Sequence, residues 1–364
     1  MGFSLASPSK VIDRVVFHIG TGKTGTTAIQ ESLVEANELL LARGVLYPRA
    51  GRVGATHVPL FADLMDPGAP VVSRVSHVSF VEEARASRAS TVVVSSEFFT
   101  FWRSSRPAEW ALALCEALQP RRVDVVGYVR PQWAYIESLY TQLVKIGTIR
   151  VPFDAYVEDS LATRTRFDYM TVFGPWREAF GERLDVRAYA AELLVAHNVV
   201  DDFWDVLDLG PAPGAGDRGV NRRPGVITTE MLRSLRGILS DHHLDELVEI
   251  EGVVPDDLAG HFGISRTLNR AQEWIEAALP DDPRSSRLTP EMLTRIGERF
   301  LLSNEEFVRD FFRGRHGSFF SPPSGLDARA STWSLGEASE RERRLFAGVV
   351  AKTLRELSTG LPSC

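Results

Sequence analysis

Along this chain, short unbroken runs of β-branched and aromatic residues alternate with longer stretches in which apolar residues recur every three or four positions. The first run, Val15-Val16-Phe17 with Ile19 after it, reads as a buried strand. A loop holding Gly20, Gly22 and Gly25 follows, and the period then changes to that of a helix from Thr26 to about Ala42, burying Ile29, Leu33, Ala36 and Leu40. Gly44 ends that helix. A short strand is predicted over Val45 to Tyr47, a helical piece over Pro59 to Leu64, irregular chain over 67–79 after the Pro67-Gly68 break, and a second helix near Phe80 to Ser90.

The run from Thr91 to Glu97 reads as a second buried parallel strand, residues 108–118 as a helix, and Val123 to Val129 as a third core strand ending at Arg130. Pro131 suits the first turn of the helix that follows. Beyond Gly225 the pattern is helical and more polar: Thr229 to Leu239, Leu244 to Ile250, Ile264 to Leu279, Thr289 to Arg313 and Gly336 to Glu356. Strands alternating with helices predict an α/β fold with a parallel sheet flanked by helices and a largely helical C-terminal region. Ligands of such sheets bind beyond the carboxyl ends of the strands, where Gly20 to Thr27, Glu97 and Arg130 all fall.

Composition narrows this picture. At 364 residues and 44% hydrophobic, the chain supports one large core: a single domain over 11–330, with 225–300 as a helical elaboration covering an acceptor site and 331–364 as a C-terminal helix. That last helix carries an apolar stripe suited to docking on the body or on a second subunit of a homodimer. A net charge of −7 argues against a nonspecific nucleic-acid or anionic-membrane surface, while leaving room for a local basic pocket. Cys115 and Cys364 suggest neither a disulfide framework nor a metal site. With no apolar signal region in residues 1–14 and no window of about 18 apolar residues, the chain reads as cytoplasmic and without a membrane span. His242-His243 reads as a solvated pair, because adjacent histidines face different sides of a helix.

Chemistry enters with the glycine loop. Glycines allow positive φ and a close approach of backbone amides, and the helix start behind them adds unpaired donors and partial positive charge for an anion. Lys23 adds a point charge. The usual nucleoside triphosphatase signature, G-x-x-x-x-G-K-[ST], is not met, since Phe17 stands where its first glycine belongs. The spacing is instead Gly20-x-x-Lys23-Thr24-Gly25-Thr26-Thr27, with the lysine early.

His18-Ile-Gly-Thr-Gly-Lys-Thr-Gly-Thr-Thr-Ala-Ile-Gln30 resembles the 5′-phosphosulfate-binding loop of sulfotransferases that use 3′-phosphoadenosine 5′-phosphosulfate, above all bacterial members with H-I-G-x-x-K-T-G-T-T. The resemblance implies a P-loop-like fold and transfer of a sulfuryl group, in line and without a metal, to an acceptor hydroxyl or amine, leaving adenosine 3′,5′-bisphosphate. It implies that Gly22, Lys23, Thr24, Gly25, Thr26 and Thr27 hold the 5′ side of the cofactor, with Lys23 beside the oxygen bridging phosphorus and sulfur. It extends to Arg130 and Ser138, eight residues on, as ligands of the 3′-phosphate, a group ATP lacks. A guanidinium fork and a hydroxyl two helical turns along suit phosphate oxygens.

A basic loop closes over the 3′-phosphate in cytosolic members, and Arg222 and Arg223 occupy a comparable segment here, weighed evenly against a solvated loop. Relatives use either a histidine or a glutamate as general base. Glu97, at a strand end, and His57, in an earlier loop, are both open to that role, the first by topology and the second by intrinsic pKa. Trp133, Tyr135 and Tyr140 read as packing of a helix on the sheet, and residues 300–312 as an amphipathic helix packing Phe307, Phe311 and Phe312. A P-loop kinase or ATPase and a noncatalytic nucleotide-binding protein are the competing readings. The first expects a strand-end Asp for Mg²⁺, whereas Asp124 sits at the start of its strand. The acceptor, a small molecule or carbohydrate in the family, is not legible.

Overall fold

The computed structural model describes residues 11–57, 72–100, 106–163, 165–214, 224–241, 256–279, 286–322 and 335–359. The chain divides into two compact units. The first comprises Met1–Pro131, Arg164–Gly219 and Phe300–Ser321, and holds a sheet of five parallel strands flanked by helices. The second comprises Gln132–Thr163, Val220–Arg299 and Pro322–Cys364.

The strands are β1 (Arg14–His18), β2 (Val45–Leu46), β3 (Thr91–Ser95), β4 (Arg122–Val129) and β5 (Leu184–Ala188), in the order β2-β3-β1-β4-β5. Every pairing is parallel; Phe17 lies opposite Val94 and Val125, and His18 opposite Ser95 and Val126. This order matches neither the 3-2-1-4 order of dinucleotide-binding folds nor the 2-1-3-4-5 order of flavodoxin-like ones. From β1 the chain runs to β2 and β3 on one side, then crosses to β4 and β5 on the other. The carboxyl end of β1 is therefore where the winding reverses, the position at which open α/β sheets take ligands.

Alternate residues of each strand serve two layers. Val16, Val93, Val126 and Tyr128 pack with Ile29, Leu33, Val199, Phe203 and Trp204, which come from α1 (Thr26–Glu35) and α8 (Val199–Val206). On the other face Phe17 meets Phe99 and Phe180, and Phe99 meets Trp110 and Trp176. With both faces covered, Val15, Val16 and Phe17 are all fully buried, which explains why β1 reads as a continuous apolar run and not as an alternating one.

Several element boundaries differ from expectation. The helix predicted over 26–42 is two, α1 and α2 (Asn37–Ala42), broken at Ala36, whose backbone leaves the helical region just before Asn37, a residue that competes with helix hydrogen bonding. Chain predicted to be irregular over 67–79 is helical from Val72, in α3 (Val72–Ala86). Residues 146–208, for which the pattern yields no element above, hold α6 (Phe153–Thr163), α7 (Tyr169–Phe180), β5 and α8. The segments 59–64 and 244–250, His242-His243, Arg222, Arg223 and Cys364 lie outside the described residues.

The first unit also contains α4 (Arg106–Leu118) and the second contains α5 (Gln132–Lys145), α9 (Val226–Asp241), α10 (Asp256–Ala278) and α12 (Glu340–Thr359); α11 (Pro290–Asp310) contributes residues to both. In the second unit Tyr135 and Tyr140 are buried and Trp133 is half-buried. Its core is crossed by a polar network. Arg287, 2% exposed, donates to the Gly225 and Val226 carbonyls, its amide donates to Glu137 at 2.6 Å, and Glu230 accepts from Tyr140 and Arg233. In the first unit Phe307 and Phe312 are buried; Phe307 meets Phe173 and Tyr169. Among the described residues no helix is long and apolar enough to cross a membrane.

Candidate functional site

The loop between β1 and α1 is held from below by the backbone of β4. The Ile19 amide donates to the Val126 carbonyl at 2.9 Å and the Thr21 amide to that of Tyr128 at 3.0 Å, while the Thr21 hydroxyl donates to the same Tyr128 oxygen. Thr24 uses its hydroxyl hydrogen inside the loop, donating to the Thr21 carbonyl at 2.6 Å. Positive φ occurs at Gly20 (37°), Lys23 (69°) and Gly25 (76°). Gly20 and Gly25 carry a second constraint: a β-carbon would come within 2.6 Å of Thr26 Cγ2 at the first and of Val199 Cγ1 at the second. Lys23 is the exception, a non-glycine residue in the left-handed region, where a side chain is strained and strain concentrates at functional positions.

Gly25 caps α1 without a side-chain acceptor. The amides of the first helical turn therefore point outward with the partial positive charge of the helix start behind them. Thr27 is exposed, Lys23 half-buried and Thr26 buried. Arg130, just past β4, donates through Nη1 to the Lys23 carbonyl at 2.9 Å and stacks its guanidinium over Tyr189, 5.8 Å from the ring centroid. Its own carbonyl accepts from Tyr169 Oη at 2.5 Å. Two cationic residues expected to serve one ligand thus meet through the loop backbone. Ser138 lies on α5 in the second unit, where it is half-buried.

A polar cluster lies beside and beneath the loop. Gln30, on α1 and 3% exposed, directs its amide nitrogen at Glu97 Oε2 (3.1 Å), Ser95 Oγ (3.2 Å) and Thr56 Oγ1 (3.4 Å). Ser95 Oγ lies 2.7 Å from Nδ1 of His18, a fully buried ring beneath Gly20 whose Nε2 bonds to nothing among the described residues. Burial pushes the His18 pKa down to about 3, so the ring is neutral. Glu97 is half-buried and opens the short turn Glu97–Thr100, two residues beyond β3.

His57 is also fully buried, and both ring nitrogens are engaged. Nδ1 accepts from the Ser95 amide at 3.2 Å, which fixes the tautomer and leaves Nε2–H to donate to the Pro48 carbonyl at 3.1 Å. Burial, reinforced by the charge of Arg52 and opposed by these two bonds, pushes its pKa down to about 3. Its lone pair is committed to tying the loop after β2 onto β3.

The chain matches no family model, no curated protein and no solved structure.

Asp124 is locked at the opposite end of the sheet, with Arg14 at 2.5 Å and Arg122 at 2.9 Å. A cavity of about 400 Å³ lies along β5, lined by Leu184, Val186, Arg187, Phe312, Arg313 and their neighbours, and none of the expected site residues lines it. Arg187 there is bound to the buried Asp202 carboxylate at 2.7 Å, a structural pair that also takes the Tyr128 hydroxyl. Among the described residues no group of three His, Cys, Asp or Glu side chains is placed to hold a metal ion.

Three contributors went unread in the sequence. His18 and Gln30 flank the loop motif, yet only the pairing of β1 with β3 brings them to Ser95 and Glu97. Tyr189 follows a strand that carried no clear signal, because Asp185 and Arg187 interrupt its apolar residues.

Proposed function

We propose that this chain is a sulfotransferase that moves the sulfuryl group of 3′-phosphoadenosine 5′-phosphosulfate to a hydroxyl or amine of an acceptor. The observation that carries the reading is the contact of Arg130 with the Lys23 carbonyl, which joins a second fixed cation to the uncapped start of α1. The donor set of the first unit fits a nucleotide with phosphates at both the 5′ and 3′ positions: first-turn amides, Thr26, Thr27 and Lys23 for one, the Arg130 guanidinium for the other. Gly22, Thr24 and Gly25 shape the cradle. Parallel strands with the lysine loop at the first βα turn support a P-loop-like fold.

When bound, the nucleotide would supply the sulfuryl group, passed from the bridging phosphate oxygen to the acceptor's oxygen or nitrogen with adenosine 3′,5′-bisphosphate as the leaving group, and the loop from Gly22 to Thr27 would hold its 5′ side. Lys23 offsets the charge left on the phosphate oxygen. Glu97 accepts the acceptor's proton, its Oε2 steadied by Gln30 while no hydrogen bond engages the other oxygen among the described residues. His57 is assigned to the scaffold, since its lone pair is occupied.

The deciding experiment is a thermal-shift comparison of adenosine 3′,5′-bisphosphate with ATP and ADP. The bisphosphate at 100 times its Kd raises stability by about 2.7 kcal/mol, and the adenosine polyphosphates lacking a 3′-phosphate raise it less. A stronger response to ATP would overturn the assignment in favour of a kinase or ATPase.

A further inference from the structure

We propose that Arg52 recognises an anionic group on the acceptor, a carboxylate or a sulfate ester carried beside the hydroxyl that is modified. This rests on the sulfotransferase reading and narrows its acceptor class. Arg52 belongs to the loop that follows β2, on the side of the sheet where β2 borders β3 and hence Glu97. The loop turns sharply at Gly51 (φ 73°) and Gly54 (φ 58°), is closed by a bridge between Val53 and Thr56, and presents Val53 65% exposed.

Within it Arg52 is half-buried, and its Nε and Nη1 are out of water with no hydrogen-bond partner. Its guanidinium lies 5.0 Å from the Tyr47 ring centroid, and among the described residues it forms no ion pair. Buried donors are nearly always satisfied, so two orphaned guanidinium donors mark Arg52 as able to take an anionic group. The nearby acid, Glu83, acts on Arg52 through its charge but forms no ion pair with it, its two oxygens accepting from the amides of Arg49 (3.0 Å) and Ala50 (2.7 Å).

The loop that carries Tyr47 and Arg52 is fixed beside Glu97: Thr56 Oγ1 lies 3.4 Å from the Gln30 amide nitrogen, which also donates to Glu97 Oε2 at 3.1 Å. An acceptor whose hydroxyl is presented to Glu97 has a cation waiting on the β2 side. A neutral acceptor leaves those donors unanswered, which is how an unsatisfied charged group discriminates between otherwise similar ligands.

The test uses matched probes on the full chain: methyl glucoside, methyl glucuronide and methyl glucoside 6-sulfate, with phenol and 4-hydroxybenzoate as a second series. Turnover with labelled cofactor and direct binding by calorimetry are both read. The expected result is a preference of about tenfold to a hundredfold for a charged member over its neutral match, lost in Arg52→Gln and partly kept in Arg52→Lys. The glucuronide and sulfate arms tell which anion is favoured. Absence of any charged-over-neutral preference overturns the proposal, as does a preference that survives Arg52→Gln. Adenosine 3′,5′-bisphosphate binding separates the two levels: its failure in the wild type sinks the sulfotransferase reading, whereas its persistence in Arg52→Gln shows a folded nucleotide site and assigns the loss to acceptor recognition.

Discussion

Lys23 occupies a left-handed backbone position, and its carbonyl accepts from Arg130 while its charge serves the proposed leaving group. In Lys23→Ala, sulfuryl transfer falls by at least about a hundredfold, the scale expected when a preorganised cation at a developing charge is removed; unchanged kcat in a single-turnover assay would refute its role. Gln30 acts through Glu97. Gln30→Leu removes the donor to Oε2 and to Ser95, and kcat drops about tenfold to a hundredfold while the KM for the nucleotide holds, because no phosphate contact is touched. A parallel rise in nucleotide KM would mean that the substitution disturbed α1 and not the carboxylate.

At the scale of elements, β1, its loop and α1 form one device whose glycines serve packing as much as conformation. Gly25→Ala meets both a φ of 76° and Val199 Cγ1 at 2.6 Å, so α1 must move from α8. Unfolding measured in urea is expected to show a loss of about 1–3 kcal/mol, with weakened binding of adenosine 3′,5′-bisphosphate. Loss of binding without loss of stability would contradict this account. The loop and its flanking elements were legible because three signals coincide within a few residues: a β-branched run, closely spaced glycines and a change of period. β5 was not legible, since Asp185 and Arg187 stand in an edge strand whose alternation is too short to separate from a turn. The break at Ala36 was hidden by a helical apolar stripe that continues across it.

For the molecule as a whole, the two buried histidines couple folding to pH. His18 and His57 are held neutral with folded pKa values of about 3, against 6.5 for an unfolded histidine. Between these limits the unfolded chain binds more protons, so their stabilising contribution is complete above pH 6.5 and is lost as pH falls toward 3. The expected slope is about 1.4 kcal/mol per pH unit for each histidine, read from denaturant unfolding at several pH values, and His57→Phe halves the pair's contribution. A flat profile between pH 6 and 4 would show that these rings are not buried neutral.

What the chain's own letters determined is local: the α/β class, the core strands around the loop, the lysine loop and the arginine past β4. Each follows from periodicity or from residues adjacent in sequence, where steric and hydrogen-bonding preferences act without help from distant partners. Tertiary structure decided the strand order, the placing of Gln30 and His18 against Ser95 and Glu97, and the engagement of both His57 nitrogens. Those depend on which strands pair. Parallel pairing across long crossovers joins residues 65 and 77 positions apart, and no short-range pattern encodes such distances. Intrinsic pKa left His57 open as a base; burial and one backbone amide made it part of the frame.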